Sequence, residues 1–281
     1  MVRVLFLTAP FKRRMIQGML DEFSSQVIWQ IVTPVYSTIG AGAKISAKLN
    51  NQFFGGRALR EELLKFEPDI VYSDHTLSAA QFKLFSFVAR ARKPLILHLR
   101  GDWWREYWAW FSMARWRKRV LGAQQYALNW TSLVLARKVT PICKWLESVV
   151  THNVPGKRTE VVYQGVDPDQ FHETQGLEFQ RPAVAIIQNH AILPKVTGLL
   201  GFKSVVDRLP DVHFYIAEGE HVAQGFLHLV KARYSGTRNV HFVSGIESPD
   251  GVRKMLTASD CYVLASELDC CPTTVLEASL M

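Results

Sequence analysis

Short apolar runs alternate with amphipathic stretches along most of the chain, and this alternation restricts the possible folds most strongly. Val2–Thr8 is a continuous apolar run, as in a strand that is buried on both faces of a parallel sheet. Further strands are predicted at residues 26–32, 68–72, 94–99, 139–142 and 160–163, with helices at 59–66, 78–91 and 144–151. Strands that alternate with helices predict a parallel sheet with right-handed crossovers.

The second part of the chain repeats this alternation. Strands are predicted at residues 183–188, 212–217, 239–244 and 260–265, with helices at 198–208, 222–234 and 249–258. Four short strands, each followed by a helix, predict a second doubly wound unit. We therefore expect an α/β protein with two domains, residues 1–175 and residues 176–281, joined at Gly176–Pro182.

Composition excludes several classes of protein. Of the 281 residues, 48% are hydrophobic and 21% are charged, as in ordinary globular proteins. No apolar run approaches the length of a membrane span. The four cysteines lack the spacing of metal ligands, so we expect no metal site and a reducing, cytoplasmic location. No phosphate-binding P-loop is present, and Gly40-Ala41-Gly42 lacks the third glycine of the dinucleotide fingerprint.

The positive charge is concentrated in one segment. Residues 90–119 contain nine Lys and Arg residues, two acidic residues, and five of the eight tryptophans of the chain. Such a segment is typical of a helix that packs its aromatic rings inward, or of a surface that binds an anionic membrane. Both interpretations are favoured over nucleic-acid binding, which would need positive charge spread along a groove.

The last part of the chain predicts a strand that leads through a polar turn into a helix. The strand is Cys261–Ala265, and the helix opens at Pro272, a residue that is tolerated in a first helical turn. Thr273 and Thr274 follow, with hydroxyls near the unpaired N–H groups of that turn. With acidic residues on both sides, the junction predicts an anion site beside acceptors for sugar hydroxyls. The alternative is an ordinary strand–loop–helix whose acids face solvent.

The stretch Ser266–Glu277 resembles the acidic E-x(7)-E signature of retaining, nucleotide-sugar-dependent GT-B glycosyltransferases, the family typified by glycogen and sucrose synthases. Asp269 and Glu277 fall on the two acidic positions, although Asp269 is one methylene shorter than the usual Glu. Cys270 stands where the family usually has Gly. Other segments that resemble this family occur in the same order along the chain: residues 163–171, 194–198, 216–220 and 239–245.

The resemblance implies a GT-B fold, with two Rossmann-like, doubly wound parallel-sheet domains. The second domain is expected to be incomplete, because chains of this family continue well beyond the helix that carries Glu277. The implied reaction is the transfer of a sugar from a nucleotide-sugar donor to a glycan or lipid-linked acceptor, with retention and without a cofactor or metal. It implies a cytoplasmic protein that can lie at the inner face of the membrane.

The resemblance also assigns roles to individual residues. The residues implied for donor binding are Lys195, His190, Gly245, Thr273, Thr274 and Glu277. Lys195 would contact the diphosphate, and His190 stands near the position of a partner arginine. Glu277 would accept hydrogen bonds from the ribose, and Asp269 from the transferred sugar as a catalytic residue.

The acceptor is implied to bind where strand 94–99 ends. The residues that follow this strand are Arg100, Gly101, Asp102, Trp103 and Trp104. Arg100 lies nearest to the position of a catalytically important His in the family, and Asp102 is a candidate to orient the acceptor hydroxyl. A structural ion pair between Arg100 and Asp102 is an equally good interpretation.

Two other functions remain open. One is a GT-B epimerase of nucleotide sugars, which would convert its donor without any acceptor. The other is an inactive or truncated relative that binds only a nucleotide or a membrane. The presence of Lys195 and Glu277 argues against this second alternative.

Overall fold

Two sheets, one mainly and one wholly parallel, organise the two halves of the chain. The computed structural model describes residues 1–8, 22–35, 46–49, 52–74, 76–77, 85–86, 93–106, 116–219, 225–246 and 248–281. The chain divides into two units, of which the first ends at Tyr163 and the second contains Gln164–Met281. The expected α/β class with two doubly wound sheets is confirmed.

The first sheet has seven strands in the order β4-β3-β2-β1-β5-β6-β7. These strands are β1 (Val2–Leu7), β2 (Val27–Val35), β3 (Ser46–Leu49), β4 (Gln52–Gly55), β5 (Ile70–Ser73), β6 (Leu95–Leu99) and β7 (Lys138–Pro141). Five of them are parallel, while β3 pairs antiparallel with β2 and with β4. The apolar run of β1 is buried from Val4 onward, as expected for a strand covered on both faces.

Three named helices belong to the described part of the first unit. They are α1 (Gly56–Phe66), α2 (Trp116–Leu135) and α3 (Lys144–Asn153). Helix α3 begins after Cys143, whose Sγ accepts a hydrogen bond from the N–H of Leu146, and it buries Leu146 and Val150. Among the described residues no helix is long and apolar enough to cross a membrane.

Two sequence predictions for this unit differ from the structure. The antiparallel hairpin of β3 and β4 was not predicted. The predicted strand at residues 160–163 is wrong, because this stretch runs beside β7 with a single parallel bridge between Val139 and Thr159. The N–H groups of Glu160 and Val162 bond to the carbonyls of Val139 and Pro141, but Val162 and Tyr163 are exposed and no regular strand forms. Most of the predicted helix at 78–91 lies outside the described residues, which include only the helical residues 85–86.

The second sheet has four parallel strands in the order β10-β9-β8-β11. The strands are β8 (Ala183–Ile186), β9 (His213–Ala217), β10 (Val240–Val243) and β11 (Cys261–Tyr262). The helices are α4 (Leu193–Val206), α5 (Leu227–Arg233), α6 (Pro249–Thr257) and α7 (Thr273–Leu280). Helix α4 begins five residues earlier than predicted, with Pro194 in its first turn.

The core of the second unit lies on both faces of its sheet. Phe214 and Ile216 of β9 pack with Val196 and Leu199 of α4 on one face. Tyr215, which points the opposite way, packs on the other face with Met255 of α6. Successive strand residues point to opposite faces, so this arrangement follows directly from the apolar run in β9.

Tyr215 also fixes the segment that leads into β8. Its ring stacks on Phe179 with the ring centroids 3.6 Å apart. Its hydroxyl accepts a hydrogen bond of 2.8 Å from the backbone N–H of Gln180. The next residues are held by Asp260, which accepts hydrogen bonds from the side chain of Arg181 and from the N–H of Ala183. The segment is therefore attached to the sheet.

We expect Tyr215→Phe to lower the free energy of unfolding of the second unit by about 1 kcal/mol, because the N–H of Gln180 loses its acceptor while the ring stack remains. Urea denaturation followed by circular dichroism measures the difference. Tyr163→Phe is the control, since Tyr163 is 60% exposed. A loss of stability no larger than that of this control would contradict the assigned role of the hydroxyl.

Candidate functional site

The predicted donor residues meet at the carboxyl ends of β8 and β11, which are neighbours in the second sheet. Helix α4 follows β8 and helix α7 follows β11, so both helices begin near this edge. Ligands of open parallel sheets bind at the carboxyl edge. The topology therefore brings two distant parts of the sequence into one site.

An ion pair between Lys195 and Asp269 lies at the centre of this site. The Nζ atom of Lys195 donates to Oδ1 of Asp269 at 2.7 Å. The side chains are only 16% and 21% exposed, respectively. The pair is therefore less screened by water than a surface ion pair, and the attraction between the two charges is correspondingly stronger. Two residues that the sequence analysis selected separately thus contact each other.

Gln188 holds the backbone on both sides of this pair, and sequence reasoning missed it. Its Nε2 donates to the carbonyl of Lys195 at 2.6 Å, and its Oε1 accepts from the N–H of Ala265 at 3.2 Å. The N–H of Glu267 adds a bond of 3.1 Å to the carbonyl of Pro194. An amide that donates and accepts at once can bridge two chain segments. A single glutamine after a strand carries no signal for this role in the sequence.

Gly198 allows the start of α4 to approach the loop that follows β11. A Cβ atom at this position would lie 2.6 Å from the carbonyl oxygen of Ala265. Real Cβ atoms do not approach other atoms so closely, so any larger residue must push the helix and the loop apart. Gly198, the last residue of the family-like segment 194–198, thus has a packing reason.

The two threonines at the start of α7 make different contacts. Oγ1 of Thr273 accepts a hydrogen bond of 2.5 Å from Nε2 of Gln164. The hydroxyl of Thr274 hydrogen-bonds Tyr262, which itself donates to the carbonyl of Ile187 at 2.9 Å. The side chain of Pro272 provides no cap at this helix start. The first turn of α7 is thereby fixed to the sheet on one side and to the beginning of the second unit on the other.

Glu277 lies one turn further along α7, in a partly buried position. Burial raises the pKa of its carboxyl to about 7. Burial also raises the pKa of Tyr262, and the charges of Asp269 and Glu277 add to this effect. Both acids therefore lie close enough to Tyr262 to act on it, and together with Lys195 they form one cluster.

The structure places His190 in the core of the second unit. Its side chain is fully buried, and burial lowers the pKa of the imidazole. An interaction with the backbone of Glu218 raises this pKa by a smaller amount. A lowered pKa favours the neutral ring at neutral pH, whereas a diphosphate contact benefits from the protonated one. The predicted role of His190 at the diphosphate stays a prediction.

Gly245 follows β10 in an exposed turn. Its backbone has a φ of +78°, and a Cβ atom would meet nothing within 4 Å. The glycine is therefore required by the backbone conformation and not by a close neighbour. Its predicted position beside the nucleotide base is untested by this geometry.

The predicted acceptor residues lie at the carboxyl end of β6 in the first unit. Asp102 is 3% exposed, and its Oδ1 accepts a hydrogen bond of 3.1 Å from the N–H of Arg105. It thereby caps the helical turn at residues 103–106. Gly101 and Trp104 are buried, and Trp103 is partly buried. At least one oxygen of Asp102 and the ring of Trp104 thus have structural roles.

A polar group beside these residues was missed by the sequence analysis. Asp74 follows β5, is 2% exposed, and accepts a hydrogen bond of 3.1 Å from Oγ1 of Thr8, which follows β1. The charges of Asp74 and Arg100 act in opposite directions on the pKa of Tyr72, which burial raises. Asp74 and Arg100 therefore lie in one region. A polar residue directly after an apolar strand was the available signal.

No group of three or more His, Cys, Asp or Glu side chains that is arranged to hold a metal ion occurs among the described residues.

The sequence matches the family described as Glycosyltransferase Family 4 over residues 29–170, which is half of the chain. A comparison with curated proteins gives no significant match.

Several solved structures share the fold at low sequence identity. Anabaena HepE, in complex with UDP and glucose, has a TM-score of 0.59 at 14% identity over 100% of this chain and 78% of its own. Sucrose-phosphate synthase from Thermosynechococcus elongatus has a TM-score of 0.64 at 11% identity, with coverages of 99% and 79%. UDP-GlcNAc 2-epimerase from Neisseria meningitidis, bound to UDP-GlcNAc, has a TM-score of 0.55 at 13% identity. The match covers 93% of this chain and 77% of the epimerase. The fold is therefore GT-B.

We expect Gly198→Ala to destabilise the second unit by about 1–3 kcal/mol, because the new methyl group overlaps with the carbonyl of Ala265. Gly201→Ala is the matched control in the same helix, since a Cβ atom there would meet nothing within 4 Å. The control should raise stability by about 0.5–1 kcal/mol through helix propensity. Thermal and urea unfolding of both variants measure the effects. Equal stabilities of the two variants would contradict the close approach.

We expect Glu277→Gln to become more stabilising as the pH rises. The folded-state pKa of about 7 lies above that of an unfolded Glu, so the folded protein binds the proton more tightly. Stability of the native protein should therefore fall between about pH 4.5 and pH 7, while the Gln variant lacks this loss. Melting temperatures at pH 5 and pH 8 test this. A constant difference between the two proteins would show that Glu277 is not perturbed.

Proposed function

Because the chain belongs to Glycosyltransferase Family 4, we propose that it transfers a sugar from a nucleotide-sugar donor to a glycan or lipid-linked acceptor, with retention of the anomeric configuration. The observation that carries this proposal is the contact between Lys195 and Asp269 beside the first turn of α7. A cation and a helix N-terminus suit a diphosphate, while carboxyl groups suit the hydroxyls of a sugar and a ribose.

In the proposed complex, the diphosphate takes the place of Asp269 at the ammonium group of Lys195. Asp269 then accepts hydrogen bonds from hydroxyls of the transferred sugar. Thr274 and the N–H groups of the first turn of α7 contact the same phosphates, and Glu277 accepts hydrogen bonds from the ribose. Support comes from the cluster itself, in which one cation and two carboxyl groups surround the start of a helix.

The helix start is too weak to account for the reaction alone. A helix terminus stabilises a charge by about 0.3–2 kcal/mol, whereas enzymatic acceleration corresponds to about 8–23 kcal/mol. Most of the stabilisation must come from Lys195 and from the alignment of donor and acceptor. We therefore assign to Lys195 the main role in neutralising the departing diphosphate, and the proposed reaction uses no metal ion or cofactor.

Retention is proposed to arise by displacement on one face of the sugar. The acceptor oxygen forms a bond to the anomeric carbon on the face from which the diphosphate leaves, and the bond to the diphosphate oxygen breaks. The proton of the acceptor hydroxyl passes to the departing phosphate. In this scheme neither Asp269 nor Glu277 acts as a nucleophile.

The acceptor is proposed to bind at the carboxyl end of β6, near Arg100, Gly101 and Trp103. Because Oδ1 of Asp102 caps the turn at 103–106, only its second oxygen is assigned to the acceptor hydroxyl. Asp74 joins this group as a second buried acid. A lipid-linked acceptor would place the protein in the cytoplasm at the inner face of the membrane, where the basic aromatic segment 90–119 would contact anionic lipid.

A UDP-sugar is the first donor to test, because the similar HepE structure contains UDP and glucose. The likeness to a UDP-GlcNAc 2-epimerase gives a second candidate function, the epimerisation of a nucleotide sugar. Incubation of UDP-GlcNAc without an acceptor distinguishes the two, because only an epimerase forms a new sugar nucleotide under these conditions. A relative that only binds nucleotide would retain UDP affinity and convert no donor, with or without acceptor.

Lys195→Ala is expected to weaken UDP binding by about 10- to 150-fold, which corresponds to the loss of a charge-assisted hydrogen bond of about 1.5–3 kcal/mol. Isothermal titration calorimetry measures the dissociation constant. Lys203→Ala is the matched control, because Lys203 lies on the same helix, is equally little exposed and pairs with Asp207 at the other end of that helix. Unchanged UDP affinity in Lys195→Ala would remove the basis for the donor site.

A further inference from the structure

Helix α2 exposes a stripe of large apolar side chains. Tyr126, Trp130 and Val134 follow one another at intervals of four residues, and they are 44%, 48% and 43% exposed. Residues four apart lie next to each other on a helix, so these side chains form one continuous stripe. Leu135 extends it and is 48% exposed.

The whole exposed face of this part of α2 carries no charge. From residue 123 to the end of the helix, the exposed residues are Ala123, Gln124, Tyr126, Ala127, Trp130, Val134 and Leu135, which we call the α2 outer face. A surface helix normally directs its charged and polar residues toward solvent. The α2 outer face therefore exposes apolar side chains to solvent where a surface helix normally exposes charged and polar ones.

The opposite face of α2 contains buried polar residues beside Leu133, and hydrogen bonds hold it in place. The buried Asn129 accepts a bond of 2.8 Å at Oδ1 from Oγ1 of Thr76, and Oγ of the buried Ser132 accepts a bond of 3.2 Å from the N–H of Leu77. Nε2 of Gln125 donates to the carbonyl of Leu77 at 3.2 Å. Rotating the helix to bury its apolar stripe would break these bonds. The protein thus fixes the stripe outward.

The charged residues near the stripe in the sequence are all cationic, although Lys138 pairs with Glu160. Between Glu106 and Glu147 the chain has no acidic residue and seven Lys and Arg residues. The exposed Arg137 follows the end of α2. Lys157 adds an ammonium group there, since its Nζ donates to the carbonyls of Val134 and Ala136. Positive charge therefore adjoins the uncharged, aromatic face at its C-terminal end.

We propose that the α2 outer face binds the surface of an anionic phospholipid bilayer. Tyr126 and Trp130 lie at the level of the headgroups, where amphipathic rings are favourable, and Val134 and Leu135 reach the acyl boundary. The flanking cations lie against lipid phosphates. Charge complementarity selects this partner over a nucleic acid, whose phosphates would need cations within the contact face itself.

The residues of this surface follow the basic aromatic segment 90–119 in the sequence. Trp104 is buried and Trp103 is partly buried, while residues 107–115 lie outside the described residues. The inference deepens the proposed function, because a lipid-linked acceptor would be met at such a surface. Vesicle binding is measured without any donor, so its result does not depend on sugar transfer.

The test compares three forms of the full chain in a flotation assay with vesicles of phosphatidylcholine, with and without phosphatidylglycerol. The native chain should bind the anionic vesicles at least about tenfold more tightly than the neutral ones, and less tightly at high salt. The triple variant Tyr126→Ser, Trp130→Ser and Val134→Ser should lose about tenfold or more of this affinity. The variant Val205→Ser, Leu209→Ser and Leu229→Ser removes three exposed apolar residues of the second unit and should bind like the native chain.

A charge variant tests separately whether cations beside the stripe contribute to vesicle binding. Arg137→Glu leaves the stripe intact and should weaken binding to anionic vesicles only. Equal binding of the native chain to both lipids, or unchanged binding of the Tyr126, Trp130 and Val134 triple variant, would overturn the proposal. A native dimer that this triple variant converts to a monomer, without vesicle binding, would assign the face to self-association instead. An RNA that displaces the native chain from vesicles and binds the triple variant equally well would also overturn it.

UDP titration of the same proteins separates the two proposals. All variants of the α2 outer face should bind UDP like the native chain, because none lies in the donor site. A chain that binds anionic vesicles but not UDP would refute the proposed donor site and leave the membrane surface standing. A chain that binds UDP but no vesicles would refute only the membrane surface.

Discussion

The hydrogen bonds of Gln188 at the end of β8 are the interaction on which the candidate donor site depends. One side-chain amide holds the backbone at Lys195 and at Ala265, which are 70 residues apart in the sequence. Gly198 permits the close approach that these bonds require. The ion pair between Lys195 and Asp269 is a result of this backbone arrangement, since each charge is carried by one of the two segments that are joined.

The electrostatics of the site explain how a place with two acids suits an anionic donor. Lys195 and Asp269 neutralise each other at 2.7 Å. Burial raises the pKa of Glu277 to about 7, so a large fraction of this carboxyl is neutral near physiological pH. The region therefore carries less negative charge than its sequence suggests. In the proposed complex a diphosphate would replace Asp269 at the ammonium group of Lys195, beside a helix start, and the carboxyl of Glu277 nearby would be only partly ionised.

The sequence predicted those parts of the structure that local patterns determine. Apolar runs located most of the strands of both sheets, and the acidic pattern led to Asp269 and Glu277. The hairpin of β3 and β4 was missed because Ser46–Leu49 is short and mostly small or polar, so that only pairing makes it a strand. Helix α4 was placed too late, because Pro194 was not recognised as a residue of its first turn. The role of Gln188 and the outward direction of the apolar stripe of α2 arise from tertiary contacts, which the sequence pattern does not encode.

The ion pair between Lys195 and Asp269 also limits how this protein can change over evolutionary time. Replacing either residue by a neutral one leaves the other charge only partly solvated and without its partner. Reversing both charges would restore the pair but would place a carboxylate at position 195, where the proposed diphosphate needs a cation. Few substitutions at these two positions are therefore tolerated, because each single substitution lowers the stability of the folded protein. Among descendants of this chain, the two positions should change together or not at all.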